Sequence, residues 1–191
     1  MERWRRGFLR SGDILVFSGR DLASWLVRIW TLSRYSHVGI ICRHACVYVL
    51  WEATTLSDLR DIFLQRPVRG VQAVLPIMRL SSYRGRIWRM RPRMPLTHEE
   101  ERRLGDWLSA RHGQPYDLQH AVLEAGRWTR WLYGQAYLDE RWFCSEIIVA
   151  ALLELGRLRP EQAGRPSAWR PADVVKWFVR YGLYEPPQRI R

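Results

Sequence analysis

The chain is 191 residues long and 47% hydrophobic, the size of one ordinary domain with enough apolar side chains for a substantial core. We therefore expect a single domain over residues 1–191, with its core at about 12–156 and a C-terminal helix and tail at 157–191. The formal net charge is +12 and the pI is near 10.6, so the surface repels itself unless it meets an anionic partner. Lipid headgroups, anionic envelope polymers and nucleic acid are candidate partners of that kind.

No window of the sequence approaches the roughly 20 consecutive apolar residues that span a bilayer. The basic N-terminus is followed by neither an apolar segment nor a small-residue cleavage site, so no secretory signal peptide is visible. The three cysteines, Cys42, Cys46 and Cys144, are odd in number and lack the spacing of a disulfide framework, which favours a reduced compartment. We expect a cytoplasmic protein or one peripheral to a membrane, with export by another route left open.

The first part of the chain predicts a buried strand followed by an amphipathic helix. Gly12–Phe17 is a short apolar run bounded by glycine and polar residues, as in a buried strand. Asp21 can cap a helix through Ser33, in which the apolar residues recur at helical spacing. A helix packed on the core is the simpler interpretation. A helix at a lipid interface is the alternative, because its Trp and Arg side chains suit that boundary.

Two β-rich runs on either side of His44 and Ala45 predict a hairpin. With the turn centred there, the antiparallel register places His37 directly opposite Glu52 and gives the two strands one strongly apolar face. The register therefore predicts that an imidazole and a carboxylate meet on the other face. The apolar face consists of Val38, Ile40, Cys42, Val47, Val49 and Trp51.

Beyond the hairpin, residues 57–70 predict a short helix or turns, and strands are expected at Val71–Ile77 and Gly85–Arg91. The second half of the chain is predicted to be mostly helical, with a loose tail from Glu185. Its helices are expected to begin at the capping box of Thr97 and Glu100, at Pro115 or Asp117, at Cys144 and near Pro171.

Cys144 lies in the first turn of an apolar helix, which runs to Leu155 and ends at Gly156. The unpaired N–H groups and the dipole of a helix N-terminus favour a thiolate, and Arg141 adds positive charge nearby. This is the environment of a nucleophile. The alternative is that Cys144 is a small buried hydrophobic residue, as most free cysteines are.

A cysteine nucleophile needs a base within hydrogen-bond reach and a third group that orients the base. Cys144, His37 and Glu52 can supply these three roles and are the candidate catalytic residues. The glutamate would hold one imidazole nitrogen protonated and stabilise the imidazolium, while the other nitrogen faces the sulfur.

Five short segments of the chain, taken in their order, resemble the circularly permuted NlpC-type papain-like cysteine hydrolases, especially the YaeF/YiiX group. Lecithin:retinol acyltransferase and the PPPDE peptidases are more distant permuted relatives. In that arrangement the histidine precedes the cysteine, as it does here, and the resemblance covers roughly residues 12–156. The segments are GDILVFSG (12–19), YSHVGII (35–41), WEA (51–53), GQPYD (113–117) and FCSEIIVAAL (143–152).

The resemblance implies an α+β, permuted papain-like fold in which a small antiparallel sheet or partial barrel packs against helices. It implies a thiol hydrolase of the amidase or peptidase kind, in which Cys144 attacks an amide or ester bond, His37 is the base and Glu52 is the third polar residue. Cell-wall peptides and acylated lipids are among the family's substrate classes. Tyr116 matches the tyrosine of the family's GxxYD segment, which we interpret as structural, so Tyr116 is left out of the catalytic set.

No cofactor and no metal are expected. Cys42, His44 and Cys46 lie close in sequence, but only Cys42 and His44 would share a side of their strand before the turn, so a zinc site is not predicted. The other histidines are interpreted as helix-surface residues rather than ligands; these are His98, His112 and His120.

Two further functions stay open beside the hydrolase. A lipid acyltransferase or deacylase at an anionic membrane surface is favoured by the Trp and Arg content, because Trp lies at headgroup depth and Arg meets phosphate. A non-enzymatic module that binds a polyanion would use the same basic surface. Nucleic acid is not the expected partner, because an intact set of Cys, His and Glu argues for an enzyme.

Overall fold

The computed structural model describes residues 9–19, 34–54, 57–115 and 143–191. Within these ranges six strands form one antiparallel sheet, whose order across the sheet is four, three, two, one, five, six. The α+β class predicted from the sequence is confirmed. In chain order the strands are β1 (Ile14–Gly19), β2 (His37–His44), β3 (Val47–Thr54), β4 (Gly70–Val74), β5 (Gly85–Met90) and β6 (Gln188–Arg189).

Helices occupy much of the remaining described chain. The predicted capping box begins α2, because the Thr97 side chain accepts from the Glu100 amide and the Glu100 carboxylate accepts from the Thr97 amide. Gly156 has a φ of 70° just beyond the end of α3, the left-handed conformation expected of a residue that ends a helix. The helices are α1 (Pro76–Ser82), α2 (His98–Ser109), α3 (Cys144–Glu154), α4 (Pro160–Ala163) and α5 (Pro171–Arg180), with a 3₁₀ turn at Pro166–Ala168.

The two faces of the sheet bury two separate sets of apolar side chains. The larger set lies between one face and the helices α2, α3 and α5, and includes Ile40 and Trp51. The smaller set lies on the other face and includes Phe17 and Leu50. Successive residues of a strand alternate between these faces, so β1 to β5 each contribute to both cores, while the two residues of β6 are exposed. The predicted apolar face of the hairpin is buried in the larger core, except for Val47, which is 48% exposed at the hairpin tip.

The hairpin forms with a register that differs from the prediction by two residues. His44 pairs with Val47 and Ile40 pairs with Trp51, so the turn is at Ala45 and Cys46 rather than at His44 and Ala45. Ala45 has a φ of 49°, the left-handed conformation that a tight two-residue turn requires. His37 is therefore not directly opposite Glu52. A shift of two leaves every side chain on its predicted face, because side chains alternate with a period of two.

The strand predicted at Val71–Ile77 is shorter than expected and ends at Val74. Pro76 begins α1 instead, since proline has no N–H to donate to a strand ladder and its fixed φ suits the first position of a helix. The tail from Glu185 is not loose. The Glu185 amide donates to the carbonyl of Arg91, and β6 adds an edge strand beside β5.

The helix predicted from Asp21 to Ser33, and the residues Tyr116, Asp117 and His120, lie outside the described residues. No helix in the part of the chain that the structure describes is long and apolar enough to cross a bilayer.

Asp13 is a buried carboxylate just before β1. Its Oδ2 accepts from the Arg10 amide at 3.0 Å, while Oδ1 has no hydrogen-bond partner among the described residues. Burial raises the pKa of Asp13 to about 6, although this amide bond and the charges of Arg89 and Arg91 oppose the shift. The folded state therefore holds a proton on Asp13 that the unfolded chain releases at lower pH.

Asp13→Asn is expected to stabilise the fold at pH 7 relative to the wild type, and to have little effect at pH 4. The folded pKa is raised, so the wild type loses stability as pH rises from about 4 to about 6, by an amount on the order of 3 kcal/mol. Urea unfolding across this pH range measures the difference, and Asp106→Asn on the exposed surface of α2 is the matched control. A wild-type and Asp13→Asn difference that does not change with pH would contradict the assignment.

Candidate active site

Cys144 is the first residue of α3, and its side chain is buried, with 1% of its surface exposed. The two residues after it have structural roles. The Ser145 hydroxyl donates to the carbonyl of Trp169, and the Glu146 carboxylate accepts from the amide of Phe143 at 3.2 Å. Glu146 thus caps the start of α3. The thiol lies where the N–H groups of the first helical turn point outward from the helix end.

His37 and Glu52 are in direct contact. His37 Nε2 lies 2.8 Å from Glu52 Oε2, and the two side chains are 18% and 0% exposed. Cys144 lies close enough to His37 for the thiol to contribute, with Glu52, to the raised pKa of the imidazole. Because Nε2 is engaged by Glu52, Nδ1 is the ring nitrogen that remains for the sulfur. The structure therefore brings together the three residues that the sequence singled out.

The contact between His37 and Glu52 runs diagonally between β2 and β3. In the observed register Glu52 is the cross-strand neighbour of Gly39, because Ile40 pairs with Trp51. A Cβ atom at Gly39 would lie 3.2 Å from the Cβ of Glu52 and 2.8 Å from Cδ1 of Leu50. Glycine at this position leaves room for the side chain of Glu52 to reach His37, two residues earlier on β2.

Two residues that the sequence analysis missed hold the other oxygen of Glu52. Oε1 accepts from Gln72 Nε2 at 2.7 Å and from Arg79 Nε at 3.0 Å, and Arg79 Nη2 makes a further short contact with the same oxygen. Gln72 is the cross-strand partner of Glu52 on β4, and Arg79 reaches it from α1. Each oxygen of this fully buried carboxylate thus has its own partners.

These contacts set the charges of the pair. Burial favours the neutral carboxylic acid, but the charges and hydrogen bonds of Arg79 and His37 outweigh it and lower the pKa of Glu52 to about 2. Burial likewise favours neutral imidazole, but the hydrogen bonds to Cys144 and Glu52 raise the pKa of His37 to about 9. At neutral pH the pair is therefore a carboxylate and an imidazolium.

Of the two missed residues, only Gln72 carries a signal in the sequence. It is an amide between the apolar residues Val71 and Ala73 in a predicted strand, and a polar side chain that such a strand buries needs a partner. Arg79 lies in a helix that the sequence did not predict, and it is one of many arginines.

The residues considered for a zinc site do not converge. Cys42 is buried beside α2, where burial raises the pKa of its thiol to about 12, and Cys46 is exposed in the hairpin turn. No group of three or more His, Cys, Asp or Glu side chains among the described residues could hold a metal ion.

His112 differs from the sequence expectation, because it is not a helix-surface residue. It lies in the turn after α2, and its Nε2 is 2.7 Å from Oδ2 of the buried Asp61. Asp61 also accepts from the amides of Phe63, Leu64 and Ala73. This second pair of histidine and carboxylate joins the loop after β3 to β4 and to the turn after α2.

Comparison with known proteins supports the fold and leaves the chemistry open. No family model matches the sequence, and no curated protein matches it. The chain is similar to the crystal structure of YiiX, a metalloprotein of Escherichia coli O157:H7, with a TM-score of 0.57 and 18% sequence identity. The similarity covers 94% of this chain and 87% of that chain. At this identity the likeness shows a YiiX-like fold.

Proposed function

We propose that the protein is a cysteine-dependent hydrolase that cleaves an amide or ester bond through an acyl-enzyme on Cys144. The observation that carries this proposal is the pairing of His37 with Glu52 at 2.8 Å, with Cys144 close enough to His37 to raise the pKa of the imidazole. A thiol, a base and a group that orients the base are the parts that this chemistry requires.

The proposed fold family is the permuted papain-like one that the sequence segments resemble. The YiiX-like fold is compatible with it, and the histidine on β2 precedes the cysteine at the start of α3, which is the permuted order. In this proposal the antiparallel sheet supplies His37 and Glu52, and the helix supplies Cys144.

The charges around Cys144 are positive on balance. Glu52 carries one negative charge, while Arg79 and the protonated His37 carry two positive charges. The dipole at the start of α3 adds to this positive potential. The site therefore stabilises negative charge on the sulfur during attack, and in the proposed reaction the sulfur attacks as a thiolate.

The reaction then follows from the proton on His37. The thiolate adds to the carbonyl carbon, and the imidazolium gives its proton to the departing amine or alcohol as the bond to it breaks, which leaves an acyl thioester on Cys144. Neutral His37 next takes a proton from water, the hydroxide attacks the thioester, and the acid leaves as the thiolate returns. Backbone N–H groups at the start of α3 are the proposed donors to the oxyanion.

The Cys144 acyl-enzyme can be detected directly by intact-mass spectrometry. The protein is incubated in parallel with cell-wall peptide fragments and with acylated lipids, the two substrate classes that the resemblance implies. A covalent adduct on wild-type protein, absent from Cys144→Ala, supports the proposal and identifies the class. Turnover of a substrate with unchanged rate in Cys144→Ala would exclude it.

The site residues do not fit a metal centre, although the structural neighbour YiiX is a metalloprotein. Both oxygens of Glu52 already accept hydrogen bonds, and Oε1 is paired with the guanidinium of Arg79. A cation bound to Glu52 would have to displace Arg79 or lie beside its positive charge.

An anionic membrane is the second candidate partner, and a lipid deacylase or acyltransferase the corresponding alternative activity. Helix α1, which carries Arg79, has Ile77 and Met78 exposed to 49% and 52%, and Leu75 just before it is 38% exposed. These apolar side chains lie on the segment that contacts Glu52, in a chain with a net charge of +12. Apolar side chains and excess positive charge together favour an anionic lipid surface.

Replacing both Ile77 and Met78 with serine is expected to lower binding to anionic phospholipid vesicles by roughly tenfold, because two half-exposed apolar side chains no longer enter the lipid. Co-sedimentation with phosphatidylglycerol vesicles at low salt measures the bound fraction. Met94→Ser, at a residue 74% exposed and remote in sequence from α1, is the matched control. If the wild type does not bind these vesicles, the membrane alternative loses its support.

A further inference from the structure

Arg79 contacts Glu52, and the proposed roles of Cys144, His37 and Glu52 do not explain this contact. Its Nε and Nη2 both reach Oε1 of Glu52, and its side chain is only 11% exposed. Gln72 Nε2 donates to the same oxygen at 2.7 Å. Oε1 is therefore saturated, and within the described part of the chain Oε2 is left to His37 alone. A carboxylate held by one oxygen cannot turn without breaking several hydrogen bonds.

We propose that Arg79 is a positioning residue for His37: by holding Oε1 of Glu52 with a fixed positive charge, it keeps this buried carboxylate ionised and turned toward the imidazole whether or not His37 is protonated. That Arg79 serves catalysis rests on the proposed function. The contact itself can be tested without turnover.

The need for such a residue follows from the proton cycle of His37. The imidazole is charged before attack on the substrate and neutral after it has given up its proton. In the neutral state Glu52, with no exposed surface, would be an isolated buried charge if His37 were its only cation. Arg79 compensates Glu52 in both states, so His37 can release and regain a proton while the carboxylate stays ionised.

The described residues that contact His37 are consistent with Arg79 acting on the imidazole through Glu52. Phe17 on β1 packs against the His37 ring, with centroids 5.4 Å apart, and carries no charge. Glu52 on β3 and Cys144 on α3 are the titratable groups that contact the ring. Arg79 and Gln72 act on His37 only through Glu52. Only one of these two, Arg79, is charged, so charge and hydrogen bonding can be varied separately.

The test is an NMR titration of the His37 ring in wild type, Arg79→Gln and Arg79→Lys, with the signal assigned by its loss in His37→Gln. Without Arg79 the imidazolium is the only cation beside Glu52 among the described residues, so Arg79→Gln should raise the pKa of His37 by about one unit or more above the wild-type value near 9. Arg79→Lys keeps the charge and should stay within about half a unit. Arg84→Gln, an exposed arginine just after α1, should leave the titration unchanged.

An unchanged His37 titration in Arg79→Gln would overturn the proposal. Should Arg79→Gln not fold, Arg79→Lys and Gln72→Leu decide, because both retain the positive charge. A rise of a full unit in either would overturn it, since donor geometry and not the charge of Arg79 would then control His37.

Turnover provides a separate readout on any substrate found. Arg79→Gln should lower kcat and move the upper limb of its pH profile toward higher pH, because His37 holds its proton more tightly. A chain that forms no acyl-enzyme would refute the proposed function, while the titration would still decide whether Arg79 controls His37.

Discussion

Cys144→Ala is expected to abolish turnover, with at least a thousandfold loss in kcat/KM, while leaving the fold intact. Removing a nucleophile removes the covalent route altogether, and what remains is the much smaller catalysis from binding and oxyanion contacts. Alanine suits the site structurally, because the thiol is buried in the larger core and the cap of α3 depends on Glu146 and Phe143. Kinetics with the substrate class found by intact mass, together with thermal unfolding, measure both effects.

The other two cysteines serve as internal references. Cys46 is exposed and Cys42 is buried beside α2, with its pKa raised to about 12. Iodoacetamide at neutral pH should label Cys144 faster than Cys46 despite the burial of Cys144, and should leave Cys42 unlabelled. Slower labelling at Cys144 than at Cys46 would contradict an activated thiol. Salt-sensitive polyanion binding that persists in Cys144→Ala, without turnover in the wild type, would favour the non-enzymatic alternative.

The contact between His37 and Glu52 was predictable because it depends on which face of the sheet each side chain occupies, and side chains alternate between the faces along a strand. The hairpin turn lies one residue later than predicted, which shifts the register by two and moves Glu52 from a position opposite His37 to one opposite Gly39. Both side chains nevertheless stay on the predicted face, and a glutamate side chain can span the diagonal. A register shift of one residue would have put them on opposite faces.

The support for Glu52 was not predictable from local sequence. Arg79 acts from α1, which begins at Pro76, inside the segment predicted as a strand. Its partner lies 27 positions away in the sequence, and no periodicity in an arginine-rich chain distinguishes this arginine from the exposed ones. Gln72 could have been suspected as a polar residue in a buried strand, but its partner depends on the pairing of β3 and β4. The pairing of the C-terminal residues with β5 is non-local in the same way.

Glu52→Gln is expected to cause the largest loss of stability of any single change at the site. Both Glu52 and Arg79 are shielded from water, so removing the negative charge takes from the guanidinium the counter-ion that the described residues give it, at a cost of about 3–5 kcal/mol. The pKa shift leads to a similar magnitude, since lowering the pKa of Glu52 from 4.5 to about 2 corresponds to roughly 3 kcal/mol. Urea unfolding at pH 7 measures this loss.

The pH dependence of the same variant separates the charge of Glu52 from simple packing. The folded pKa of Glu52 is lowered, so its contribution is present above pH 4.5 and is lost as pH falls toward 2. The folded pKa of His37 is raised, so its contribution is present below pH 6.5 and is lost as pH rises through 9. Glu52→Gln should therefore flatten the stability profile at both ends, since the carboxylate is absent and His37 loses one of the two partners, Cys144 and Glu52, that raise its pKa. Glu99→Gln removes an exposed carboxylate paired with Arg102 on α2 and should change stability by at most about 0.5 kcal/mol. A Glu52→Gln profile parallel to that of the wild type would mean that the variant loses packing alone and that Glu52 does not control the charge of His37.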